Sequence, residues 1–182
     1  MNSAELGVKK ILISSKEIGE KVAEMGKVIS KEYSGKKLLL ICILKGSFVF
    51  MADLMREITL PCEVDFMCVS SYNNGMESSG KVTITKDLKV DIAGFDVLIV
   101  EDIIDSGLTL KVLSEMLLER NPNSLKICTL LDKPARRSAE ISADFSCFTI
   151  PDEYVIGYGL DSAEKFRNLP YIGVFDTDYK LN

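Results

Sequence analysis

Nine consecutive residues gather more reactive chemistry than any other part of the chain: Glu101-Asp102-Ile103-Ile104-Asp105-Ser106-Gly107-Leu108-Thr109. They follow the apolar run VLIV at 97–100 and precede a helical pattern, which puts three carboxylates at the open end of a buried strand. Such groups repel one another and are poorly solvated unless a cation or hydroxyls meet them. The part at 106–109 is small and hydroxyl-bearing and opens a helix, whose free N–H groups and positive dipole end suit a phosphate. The loop can thus offer carboxylates to hydroxyls or a metal, and amides to a phosphate. The ordinary alternative is a capped turn with solvated acids. A nucleotide-binding P-loop is excluded, because G-x-x-x-x-G-K-[ST] occurs nowhere.

What could assist this loop is limited by composition. Histidine is absent, so there is no Ser-His-Asp or Cys-His arrangement and no imidazole metal site. Acid–base work falls to carboxylates, lysine or tyrosine. Cys42, Cys62, Cys68, Cys128 and Cys147 are odd in number and contain no C-x-x-C pair. They read as buried free thiols rather than zinc ligands or disulfides.

The elements that must position the loop alternate along the chain. A short apolar strand at 8–13 is followed by Ser14, three before Glu17, a capping-box spacing. Ile18, Val22, Met25 and Ile29 then recur at helical intervals up to Gly35. A buried strand at 38–43 leads through Lys45-Gly46-Ser47 into a helix ending near Arg56. Val64, Phe66 and Cys68 alternate as a strand, as do Val82 and Ile84, with a polar, glycine-bearing stretch at 73–80 between them. The strand at 97–100, a helix carrying Leu110, Leu113, Met116 and Leu117, and a strand at 127–131 follow. This rhythm predicts an α/β fold with a mainly parallel, twisted sheet flanked by helices, whose ligands sit beyond the carboxyl ends of the strands. With 182 residues, 20.2 kDa and no linker, repeat or low-complexity tract, a single domain over 1–182 is expected.

The segment VEDIIDSGLTL resembles the phosphoribosyl-pyrophosphate (PRPP) signature of the type I phosphoribosyltransferases. Leu44-Lys45-Gly46-Ser47 resembles their pyrophosphate loop, and Ser71-Tyr72 with the polar stretch after it resembles their mobile catalytic lid. Asp132-Lys133-Pro134 and Tyr154-Val155-Ile156-Gly157-Tyr158-Gly159-Leu160-Asp161 resemble purine-binding segments, and Phe166-Arg167-Asn168-Leu169-Pro170 completes the set. In this order, from about residue 38 to 175, they resemble the hypoxanthine (hypoxanthine-guanine) phosphoribosyltransferases. The resemblance implies the type I fold with a small hood and a lid loop, and the reaction of PRPP with a 6-oxopurine to give a purine 5′-nucleotide and pyrophosphate.

It also implies roles. Asp105 is the base that takes the N7 proton of the purine, and Asp105, Ser106, Gly107, Leu108 and Thr109 cradle the 5′-phosphate. Glu101 and Asp102 hold the ribose hydroxyls and, with Asp161, the shell of a Mg²⁺ ion. Lys45, Gly46 and Arg167 meet pyrophosphate, with a cis peptide expected between Leu44 and Lys45. Lys133 donates to the purine O6, Tyr154 and Ile103 stack on the ring, and the Val155 backbone reads its edge. Ser71 and Tyr72 close over the reacting atoms. The family is dimeric or tetrameric, which implies a homodimer or homotetramer.

Two other readings stay open at this level: a transferase for another base such as xanthine, and a PRPP-sensing regulator that binds RNA or DNA. The second needs a basic face, whereas Lys and Arg number 22 against 27 Asp and Glu, a net charge of −5. Nucleic acid is therefore not an expected partner. The longest apolar run, LLLICIL, is far below the ~18–20 residues of a membrane span. The opening MNSAELGVKK has no apolar signal core, so a cytoplasmic protein is expected.

Overall fold

The structure is a computed structural model describing residues 7–71 and 82–179. Tyr72 and the polar stretch expected to form the lid lie outside those residues; Ser71 is the last residue of a strand. The elements run β1 (Val8–Ile13), α1 (Ser15–Glu32), β2 (Leu38–Leu44), α2 (Phe48–Glu57), β3 (Cys62–Ser71), β4 (Val82–Lys86), β5 (Asp96–Ile104), α3 (Leu108–Leu118), β6 (Ser124–Asp132), β7 (Phe145–Thr149), β8 (Val155–Ile156) and β9 (Ile172–Phe175).

Six strands form the main sheet in the order β4-β3-β2-β5-β6-β7. All neighbours in it are parallel except β3 and β4. The central strands are apolar throughout because both faces are covered. Leu38, Leu40 and Cys42 of β2 join a core with Ile18, Val22 and Ile29 of α1, while Leu39, Ile41 and Ile43 join the opposite core with Leu113 and Leu117 of α3. The capping box at the start of α1 is complete: Ser14 N–H donates to the Glu17 carboxylate at 2.8 Å, and Glu17 N–H donates to Ser14 Oγ at 3.3 Å.

Three features differ from the sequence expectation. The strand at 8–13 does not enter the main sheet; it pairs antiparallel with β9, which pairs with β8, making a separate three-stranded hood. Only two of its positions are buried, so alternation with helices said nothing about which sheet it joins. Secondly, β5 continues through Glu101 and Asp102 to Ile104, because β6 supplies ladder partners as far as Asp132. The first two carboxylates therefore stand on a strand and not in the loop after it. Thirdly, three strands follow the last expected element, β7, β8 and β9, of which β8 has only two residues.

All five cysteines are free, with Cys42, Cys128 and Cys147 buried. Burial pushes the Cys42 thiol up to about 11 and the Cys147 thiol up to about 12.

Candidate active site

The end of β5 turns sharply into α3. Gly107 takes φ 79° and serves as the helix N-cap, so the first amides of α3 have no partner within the helix. A Cβ at Gly107 would come 2.6 Å from Ile141 and 3.0 Å from Arg137. Glu101, Asp105, Ser106, Gly107 and Thr109 line a cavity of about 140 Å³ over that turn. Arg137 braces it from behind: the guanidinium donates to the carbonyls of Asp105 (3.0 Å), Ile104 (3.2 Å) and Ile141 (2.7 Å), and to the Asp132 carboxylate. Asp105 Oδ1 has no hydrogen-bond partner, with the Arg136 guanidinium 3.9 Å away.

Glu101 and Asp102 are successive strand residues and so face opposite ways. Glu101 looks into the small cavity. Asp102 lies against Gly46, where any Cβ would overlap its carboxylate. Burial first, and then the neighbouring Asp102, holds the Glu101 carboxyl well above the usual range. Burial also pushes Asp102 up to about 6; Asp161 adds to the rise, while the Ile103 amide and Arg167 oppose it. Both are oxygen donors that a cation would relieve.

Beside them, the Leu44–Lys45 peptide is cis, and Lys45 extends to Glu164 at 3.0 Å. Arg167 contacts Asp161 at 2.8 Å, Glu164 at 3.3 Å and the Gly159 carbonyl at 2.8 Å. Gly159, at φ 102°, rests on the Gly46 carbonyl with no room for a Cβ. The loop after β2 and the loop after β8 are therefore pressed together backbone to backbone.

The hood closes the other side. Lys133 follows β6 and is enclosed, its side chain 7% exposed, with Nζ 3.6 Å from Asp152. Arg136 bridges Asp152 (3.5 Å) and Asp105, linking this side to the turn before α3. The Tyr154 ring lies 5.9 Å from that of Phe175 and is half exposed. Val155 is held in β8 opposite Val174. Ile103 is half-buried on β5 beside the small cavity.

The structure thus brings Glu101 together with 105–109, and Asp102 together with Gly46, Asp161 and Arg167. Sequence reading missed Arg137, Glu164 and Asp152. Arg136-Arg137 follows Lys133 closely, and that basic pair beside an expected binding segment was the available signal. Among the described residues no three acidic or cysteine side chains gather into a metal cage. A larger cleft, of about 690 Å³, lies between α1 and α2 and reaches Arg167, Asn168 and Tyr158. It includes none of the residues from 101 to 109.

The family model for the phosphoribosyl transferase domain matches residues 10–163. The chain is 52% identical over 178 residues to a hypoxanthine-guanine phosphoribosyltransferase of Streptococcus pneumoniae, covering 98% of this chain and 99% of that one. It is 54% identical over 167 residues to that of Bacillus subtilis, covering 92% and 93%. Among solved structures, a hypoxanthine phosphoribosyltransferase from Staphylococcus aureus superposes with a TM-score of 0.92 at 48% identity, covering 96% of this chain and 95% of the other. With the motifs, the mainly parallel sheet and the hood all in agreement, the chain belongs to the phosphoribosyltransferase family, on its hypoxanthine-guanine branch.

Proposed function

We propose that the protein is a purine-salvage transferase, joining hypoxanthine or guanine to the ribose of PRPP and releasing pyrophosphate. The observation that carries this reading is the convergence of three subsites along β5. These are the amide-lined turn at 105–109, the cationic pair Lys45 and Arg167, and the enclosed Lys133 with the half-exposed Tyr154.

Purine N9 attacks the anomeric carbon as its bond to pyrophosphate breaks, so positive charge builds on the ribose and negative charge on the leaving group. The 5′-phosphate docks on the amides and hydroxyls of 106–109, which fixes the sugar. Asp105 accepts the N7 proton; its Oδ1 already lacks a hydrogen-bond donor. Lys133 donates to O6, Tyr154 and Ile103 sandwich the ring, and the Val155 backbone meets its edge. Lys45, the Gly46 backbone and Arg167 receive the pyrophosphate. Ser71 and Tyr72 belong to the segment that would close over these atoms and exclude water.

Asp102 and Asp161, which lie on the same side of β5, would hold Mg²⁺, while Glu101, facing the other way into the phosphate cavity, would meet the ribose hydroxyls and complete the ion's shell only through them. All are oxygen donors, and Glu101 and Asp102 are raised by burial toward their neutral forms. Magnesium characteristically takes one or two carboxylates plus substrate oxygens, which suits a site without a protein-only cage. When bound, it would neutralise the leaving pyrophosphate.

We also place the protein in the cytoplasm, as a homodimer or homotetramer. Among the described residues no helix is long and apolar enough to cross a membrane. Phe48 on α2 is exposed and lines the larger cleft, a face suited to a second copy.

The deciding experiment measures nucleotide formation from PRPP with hypoxanthine, guanine, xanthine and adenine side by side, with Mg²⁺ and after chelation. Turnover of hypoxanthine or guanine that stops on chelation is expected. Preference for xanthine would move the protein to another substrate, and no turnover with any base would overturn the reading.

A further inference from the structure

The loop between Asp161 and Arg167 is built unusually. Ser162 and Lys165 exchange both backbone hydrogen bonds, at 3.1 and 3.0 Å, around the two central residues Ala163 and Glu164. Both have positive φ, 50° and 64°, and Phe166 just beyond has φ 75°. A two-residue turn with positive φ at both centres is normally made by Asn-Gly or Gly-Gly, because L side chains are strained there. This one contains neither. Strain of this kind persists where the surroundings over-determine it and is a pointer to function.

What the turn accomplishes is to hold Glu164 between two cations. Its N–H donates to the Asp161 carboxylate at 2.9 Å, which fixes the turn. Its carboxylate reaches Lys45 at 3.0 Å and Arg167 at 3.3 Å, while Arg167 Nε is left without a hydrogen-bond partner. Lys45 and Glu164 are both largely exposed, so a ligand arriving from solvent can reach them. Two cations converging on one carboxylate also match a bridging phosphate oxygen.

We propose that Glu164 is an internal stand-in for the pyrophosphate group, occupying Lys45 and Arg167 until a diphosphate displaces it. This rests on the reading of Lys45 and Arg167 as the pyrophosphate contacts. Binding a diphosphate then exchanges one pair of ion pairs for another, and Glu164 is left beside a polyanion of like charge. Glu164 therefore weakens the hold on pyrophosphate and favours its release, which an enzyme that must discharge this product can use. Glu164 touches no reacting atom; it is a positioning residue acting through Lys45 and Arg167.

The test is calorimetric titration of the full chain with inorganic pyrophosphate and Mg²⁺, and separately with inosine 5′-monophosphate, which lacks a diphosphate. Glu164→Gln should tighten pyrophosphate about two- to fivefold, the scale of an exposed ion pair. It should leave the monophosphate unchanged, and the gain should shrink at high salt. Lys45→Ala should weaken pyrophosphate. If Lys45→Ala weakens binding but Glu164→Gln binds as the unsubstituted protein or more weakly, the stand-in is wrong and the site reading survives. If Lys45→Ala changes nothing, the pyrophosphate contacts are misplaced and the proposal fails with them. Ala163→Gly relaxes the turn and keeps the charge; equal tightening by that substitution would make geometry the lever and overturn the proposal.

Discussion

An ammonium enclosed by protein has three donors and no acceptor, so Lys133 can read only what accepts. Hypoxanthine and guanine present O6 and gain a charge-assisted bond of roughly 1.5–3 kcal/mol. Adenine presents an amino group there, so an enclosed Lys133 would face a second donor, with only the Asp152 carboxylate at 3.6 Å to meet its charge. Adenine should therefore be disfavoured in kcat/KM by about 10⁴, the scale on which sites built for one hydrogen bond reject its absence. Lys133→Gln, whose amide can donate or accept, should shrink that ratio; an unchanged ratio would show that Lys133 does not read the base. Asp105 gives a second prediction at this scale. Asp105→Asn keeps the shape but removes the proton acceptor, so kcat should fall roughly 10²–10⁴-fold. Binding of PRPP, measured by calorimetry, should stay within a few-fold. A loss below fivefold in kcat would assign the proton to another group.

Elements position these residues by contacts that cross the sheet, and Arg137 is the main example. It ties the last turn of β5, the end of β6 and the 137–141 segment through four groups, three of them carbonyls that would otherwise lack these donors. Arg137→Gln can satisfy at most part of that set. We expect a loss of about 2–4 kcal/mol in chemical denaturation and at least a tenfold rise in KM for PRPP, with Arg137→Lys recovering little of either. A rise confined to the purine KM would place the brace elsewhere. The same element scale shows what was legible in the chain. Residues 97–109 announced a strand, a carboxylate row and a helix start of small, hydroxyl-bearing residues, because both-face burial and small helix-start residues leave local marks. Arg137 left only the basic pair it forms with Arg136, and Glu164 and Asp152 left no mark, since each acts through a partner distant in the chain: Asp105 for Arg137, Lys45 for Glu164 and Lys133 for Asp152. The hood escaped for a related reason. The chain at 8–13 carries a strand pattern, but only the distant 172–175 segment decides that it pairs outside the main sheet. Two-residue β8 is a strand only because β9 lies beside it.

The whole molecule has no histidine, so any change of its stability on the acid side of neutrality rests with carboxyls, the raised Glu101 and Asp102 included. Its acid limit falls to carboxylates held in their charged form. Buried Asp65 is one: burial alone would raise it, yet the amides of Phe66 (2.7 Å), Lys89 (2.7 Å) and Val90 (3.2 Å), with the Lys86 ammonium, outweigh that and hold it below the ordinary value. A carboxyl lowered on folding stabilises above its unfolded value, near 3.9, and that contribution fades as the pH drops through the lower folded value. Asp65→Ala should thus cost about 2–3 kcal/mol at pH 7, and the deficit should narrow below pH 4. Thermal unfolding from pH 7 to 3 checks this, and a constant deficit would assign the loss to packing instead. The hood adds a consequence in time. Its strands come from opposite ends of the chain, β1 at 8–13 and β9 at 172–175, whereas the six-stranded sheet is complete by residue 149. During synthesis a ribosome-bound chain can lay down the whole sheet, with the turn at 105–109, while β1 waits unpaired for a strand not yet made. Tyr154 and Val155 wait for β9, and Arg167 is made after them, so an incomplete chain would have the 5′-phosphate turn and Lys133 in place before it could stack the base or hold the leaving group.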